Sequence, residues 1–155
     1  NCILAKKRPT NPVDYGWVGD VIAINSSTIK MFLSHGITPV FCAISHDGNG
    51  QLLNTNADTI AAEIAIAMSK YADTELIYCF EKKGVLADVS NEHSIIENIN
   101  YKQYLALKEN NTIIEGMLPK MENCFNALKN GVSQVVIGSS NAIIEDNILQ
   151  STLTL

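Results

Sequence analysis

Met117-Leu118-Pro119-Lys120-Met121-Glu122-Asn123-Cys124-Phe125-Asn126-Ala127-Leu128-Lys129-Asn130-Gly131-Val132-Ser133-Gln134-Val135-Val136-Ile137 decides the class of fold. Pro119 sits where a first helical turn tolerates it, Met121, Cys124, Phe125 and Leu128 recur at helical spacing, and Gly131 closes the helix. Residues 132–137 then read as a buried strand. The same succession recurs on the N-terminal side. A helix over about 58–70, with Ile60, Ile64, Ala67 and Met68 on one stripe, leads to a strand over 76–80. An earlier helix starts at the caps Asn25-Ser26-Ser27, places Ile29, Phe32 and Leu33 on one face, and stops at Gly36 before an apolar run over 37–44. A shorter helix over 101–108 turns Tyr101, Tyr104 and Leu105 inward. Residues 1–24 read as extended segments around turns, with 14–21 alternating like a hairpin with glycine bends. The tail carries Ile143, Ile144, Ile148 and Leu149.

Helices alternating with apolar strands predict the α/β class, here a three-layer α/β/α sandwich with a mainly parallel sheet. In such sheets ligands bind beyond the carboxyl ends of the strands, which directs attention to the loops after residues 44, 80 and 137. The 155 residues fit one domain, and a composition 46% hydrophobic excludes a disordered chain. A formal net charge of -5 argues against a nucleic-acid partner, and Lys6-Lys7-Arg8 reads as a solvated run. No stretch approaches the ~20 apolar residues of a membrane helix. No signal segment is visible, and Cys2, Cys42, Cys79 and Cys124 lie far apart. Three of them sit in apolar runs, so the expectation is core thiols in a cytoplasmic protein, without disulfide or metal. His35, His46 and His93 are equally scattered.

Three groups of residues carry candidate chemistry. Asn54, Asn56 and Asp58 alternate along an extended stretch after His46-Asp47-Gly48-Asn49-Gly50, so their side chains point the same way just before a helix. One of them suffices as a cap; three leave room for a binding role. Lys120 occupies the first turn of its helix, where a cation faces the positive end of the macrodipole. That position suits a lysine that meets an anion held by free backbone N–H groups, with Gly116 letting the backbone come close; the alternative is an exposed lysine whose cost Glu122 offsets. Glu81-Lys82-Lys83-Gly84 follows a strand and is either a phosphate contact or a solvated turn. Neither a P-loop nor a dinucleotide-binding glycine motif occurs.

Four segments together resemble the N-acetylglutamate kinases, a branch of the amino-acid kinase family. They are Asp14-Tyr15-Gly16-Trp17-Val18-Gly19-Asp20-Val21, Leu53-Asn54-Thr55-Asn56-Ala57-Asp58, Gly84-Val85-Leu86, and Gly116-Met117-Leu118-Pro119-Lys120. The resemblance implies transfer of the γ-phosphoryl of ATP, with Mg2+ bridging the phosphates, to the side-chain carboxylate of N-acetyl-L-glutamate in arginine biosynthesis. It assigns Lys120 and Asp58 to catalysis, and Asn54 and Asn56 to the amino-acid substrate. Glu81, Lys82, Lys83, Gly84, Val85, Leu86, Thr112, Ile113 and Ile114 go to the nucleotide, and no residue to a metal. It places a substrate-lid hairpin and the substrate residues in 1–58 and the nucleotide-binding part in 59–155, and it implies a homodimer. Phe80-Glu81 stands where the family has Thr or Ser and then Asp, and Ser151-Thr152 where it closes on Gly-Thr. The family's first half, with a second lysine, a glycine turn and a substrate arginine, has no counterpart here. With a start on Asn1 that enters apolar sequence at once, this leads to the expectation that the chain is one piece of a longer polypeptide. A kinase for another N-acylated acidic amino acid, such as N-acyl aminoadipate, and a non-catalytic nucleotide-binding module remain the alternatives.

Overall fold

The computed structural model describes residues 2–110, 112–113, 117–144 and 148–155 and divides into two compact units, Asn1–Met68 and Ser69–Leu155. In the first unit, strands β1 (Ile3–Lys7) and β2 (Gly19–Ile24) form an antiparallel hairpin with Ile3 opposite Ile24 and Lys7 opposite Gly19. Strand β3 (Ile44–His46) lies parallel to β1, and β4 (Leu52–Asn54) returns antiparallel to β3, giving the order β2-β1-β3-β4. The β3–β4 turn is tight because Gly48 and Gly50 adopt φ of 85° and 98°, which side chains disfavour. Asp47 closes it by accepting from the N–H groups of Asn49 at 2.7 Å and Gln51 at 3.1 Å. Helix α1 (Ser26–Ser34) is capped by Asn25, whose Oδ1 accepts from the Thr28 N–H, and α2 (Ala57–Ser69) follows β4. Ile3, Ala5, Ile29, Leu53 and Ile60 are buried in this unit. Gly19 is where β2 meets β4: a Cβ there would lie 2.8 Å from Leu53 Cβ and 3.1 Å from Ala5 Cβ.

The second unit holds β5 (Glu75–Cys79), β6 (Asn98–Asn100), β7 (Gln134–Gly138) and β8 (Ser151–Thr154) in the order β5-β7-β8-β6. Helices α3 (Tyr101–Glu109) and α4 (Leu118–Lys129) belong to it as well. α3 opens on a capping box in which Asn100 and Gln103 satisfy each other's backbone N–H. α4 buries Met121, Cys124, Phe125, Ala127 and Leu128, the face its spacing predicts. Phe125 stacks on Tyr104 with centroids 4.8 Å apart and meets Tyr101 edge-on at 5.3 Å.

The α/β class stands, but the expectation of a mainly parallel sheet does not. β1–β2 and β3–β4 are antiparallel, and β8 runs antiparallel to β7 while pairing parallel with β6. Both sheets are mixed, because short hairpin turns and a returning C-terminal strand supply neighbours that no crossover helix supplies. The apolar run 37–44 is not a buried strand: only Ile44 is in a ladder, Val40 is 93% exposed and Ile37 52%. Pro39 lacks an N–H to donate, and the pairing with the β4 segment reaches back to Ala43, whose carbonyl accepts from the Thr55 N–H at 2.9 Å. Leu33 and Leu105, placed inward by periodicity, are about half exposed. The cysteines are all free; only Cys124 is buried, while Cys42 and Cys79 are exposed, so the core-thiol expectation holds for one of them. Lys6-Lys7-Arg8 is not wholly solvated. Lys7 Nζ lies 4.5 Å from the Trp17 ring centroid and Arg8 pairs with Asp20 at 2.6 Å, tying the hairpin together. Among the described residues no helix is long and apolar enough to cross a membrane.

Candidate functional site

Strands β5 and β7 run parallel with Cys79 opposite Gly138, so the segments leaving both carboxyl ends emerge side by side. There the second unit contains a cavity of about 710 Å³, a size that suits a small-molecule ligand. Its wall brings together Glu81, Lys82, Gly84, Val85, Leu86, Thr112 and Ile113, all candidates from the sequence, with Cys79, Phe80, Val89, Met117 and Ser140. Lys83 is exposed and does not line it; Ile114, and Gly116 of the fourth motif, lie outside the described residues. The lining is mostly apolar.

The wall at Gly84-Val85 is held from the C-terminal strand. Ser151, fully buried, accepts from the Val85 N–H at 2.8 Å and donates to the Ile96 carbonyl at 2.7 Å. Gly84 fits only without a side chain: a Cβ would lie 2.6 Å from Ser151 Oγ and 2.9 Å from Ile95 Cγ2. Lys82 is engaged in a hydrogen-bonded ion pair with Glu92, which raises the lysine's pKa and lowers the carboxyl's. Lys120 is half-buried in the first turn of α4, with Nζ 3.7 Å from the Phe80 ring centroid and 5.9 Å from that of Tyr78. Glu122 does not serve α4 alone, since it accepts from Lys108 at 2.9 Å.

The remaining candidates fall in the first unit. Asn54 ends β4 exposed, and its N–H donates to the Trp17 carbonyl at 2.8 Å, so the β1–β2 loop fixes its backbone. Asn56 takes the capping role: its Oδ1 accepts from the Thr59 N–H at 3.0 Å. Thr55 between them points inward, buried, with its hydroxyl 2.6 Å from Ser45 Oγ. Asp58 stands half-buried in the first turn of α2, where the helix dipole favours a carboxylate. No group of three or more metal-ligating side chains is found among the described residues.

Residues 2–139 match the family model described as the amino acid kinase family. The chain belongs to that family. Its relatives include the acetylglutamate kinase of Cytophaga hutchinsonii, 47% identical over 94% of this chain and 55% of the relative. That of Bacteroides fragilis is also 47% identical, over 94% of this chain and 56% of the relative. The chain thus spans about half the length of the curated relatives it matches. Among solved structures, the Streptococcus mutans protein smu.665 superposes with a TM-score of 0.78 at 32% identity, covering 99% of this chain and 56% of that one. The N-acetylglutamate synthase of Neisseria gonorrhoeae reaches 0.81 over 99% of this chain and 36% of its own, but at 16% identity it speaks for the amino acid kinase fold alone.

Sequence reasoning about this amino acid kinase chain missed Ser151, Phe80, Cys79, Val89 and Ser140 as parts of the cavity or its support. Two signals were present. Ser140 lies in the loop after residue 137, flagged as a strand end, and Ser151-Thr152-Leu153-Thr154 alternates as a half-buried strand does. Val89 carries no signal of its own.

Proposed function

We propose that the polypeptide containing this chain transfers the γ-phosphoryl group of ATP to the side-chain carboxylate of N-acetyl-L-glutamate. The carboxylate oxygen bonds to the γ-phosphorus as the bond to the β,γ-bridging oxygen breaks, giving an acyl phosphate and ADP. The observation that carries this reading is the cavity of the second unit, whose wall gathers seven of the nine residues the resemblance assigns to the nucleotide. The relatives' acetylglutamate kinase activity supports the choice of acceptor.

In this reading Gly84, Val85, Leu86, Thr112 and Ile113 bind the nucleotide, with Glu81 and Lys82 at the rim. Lys120 stabilises the charge on the phosphoryl group in transit, which phosphoryl transfer requires more than covalent chemistry. Asp58 orients catalytic lysines through its charge, and Asn54, with Asn56 beside it, binds the amino-acid acceptor. Residues 1–58 serve the acceptor and 59–155 the nucleotide. Mg2+, when bound, neutralises phosphate charge. The polypeptide is a cytoplasmic homodimer acting in arginine biosynthesis.

ADP release from MgATP, with and without N-acetyl-L-glutamate, tests the proposal in the full polypeptide. Acceptor-dependent ADP is expected. Because one methylene is worth only ~1–3 kcal/mol in a pocket, N-acetyl aminoadipate belongs in the same assay. Preference for it moves the substrate assignment, and nucleotide binding without turnover on either acceptor points to a binding module.

A further inference from the structure

We propose that Phe80 is a positioning residue that holds the Lys120 ammonium for its role at the phosphoryl group; this rests on the kinase reading above. Tyr78 and Phe80 are two residues apart along one extended segment, so their side chains leave it on the same face. The Phe80 N–H continues the ladder beyond β5 by donating to the Gly138 carbonyl at 2.7 Å. Both rings present themselves to Lys120, Phe80 at 3.7 Å and Tyr78 at 5.9 Å from Nζ to centroid. An aromatic face attracts a cation through its quadrupole without neutralising it. The ring therefore steadies the ammonium against the unfavourable end of the α4 dipole. Phe80 also lines the cavity, so one side chain joins the nucleotide wall to the lysine.

The test compares Phe80→Leu, which keeps apolar bulk and removes the quadrupole, with Phe80→Tyr, which keeps both. In the full polypeptide, Phe80→Leu lowers kcat about 2- to 30-fold, with KM for ATP and the affinity for a fluorescent ADP analogue changed less than about twofold. Phe80→Tyr recovers most of the loss. A residue that only walls the cavity would do the reverse, raising KM and weakening ADP binding while kcat holds, and that result overturns the proposal. The contact has its own readout, because a ring this close shifts the Lys120 Hε resonances upfield. The shift is expected in the wild type and Phe80→Tyr and is lost in Phe80→Leu; its absence from an active wild type also overturns the proposal. A wild type with the shift intact but no turnover on any N-acylated acceptor overturns the kinase reading, and the role of Phe80 with it.

Discussion

Two stretches that the sequence marks as buried strands meet different fates in this chain. Residues 132–137 end in β7, which has β5 on one side and β8 on the other and buries Val135, Val136 and Ile137. In residues 37–44 only Ile44 enters a ladder, opposite Asn54 of β4, and Val40 stands 93% exposed. Hydrophobicity marks what a segment can do; hydrogen-bonded neighbours decide whether it becomes a strand. The contrast does not extend to the units around them. The second buries Met121, Cys124, Phe125 and Leu128 of α4 with Val135, Val136 and Ile137 of β7, and the first Ile3, Ile29, Leu53 and Ile60. Both leave large apolar side chains exposed, Ile22 and Leu52 in the first and Ile143 and Ile144 in the second.

The largest effect that can break this comparison is a truncation in each unit. Phe125→Ala removes a ring stacked on Tyr104 and should cost about 3–5 kcal/mol, whereas Val40→Ala should stay within about 0.5 kcal/mol. Similar losses in chemical denaturation would mean that Val40 is covered in solution. Next comes Gly84→Ala, which forces Gly84 and Ser151 apart. A loss of about 1–3 kcal/mol in stability, accompanied by weakened binding of an ADP analogue, is expected. Undiminished binding would show that the wall at Val85 does not depend on Ser151. Asn56→Ala should remove the cap of α2 for about 0.5–2 kcal/mol, read in the melting temperature; a substrate-binding effect without destabilisation would give Asn56 the other role.

The smallest effect is at the β3–β4 turn. The Asn49 N–H, and then that of Gln51, hold the Asp47 carboxyl below the ordinary carboxylate range. A depressed pKa means the carboxylate's contribution is present above that range and is lost as pH falls through the folded value. The Asn49 amide proton should therefore titrate at a pH below the range of a free aspartate, followed by NMR. A midpoint within or above that range would remove Asp47 as the closure of the turn.

Local chemistry was legible wherever it was decided locally. The α4 face, the Asn25 cap and the glycine turn after His46 could be read because spacing and caps lie within a few residues, while most of the cavity wall was reached only through the family resemblance. Strand direction and burial of 37–44 could not, since they depend on which distant segment comes alongside. Phe80 shows the same limit within the candidate site. An aromatic residue at a strand end looks like core, and only the fold brings Lys120, forty residues later, over its ring.

The Ser151 bridge sets an order of events during synthesis. Val85 leaves the ribosome 66 residues before the serine whose hydroxyl accepts its N–H. At about 5–20 residues per second, that is an interval of about 3–13 s in which the loop at Gly84 exists without its anchor. A nascent chain stalled before Ser151 would carry the glycine, the lysine and the aromatic ledge, yet still lack the strut that gives the cavity a wall.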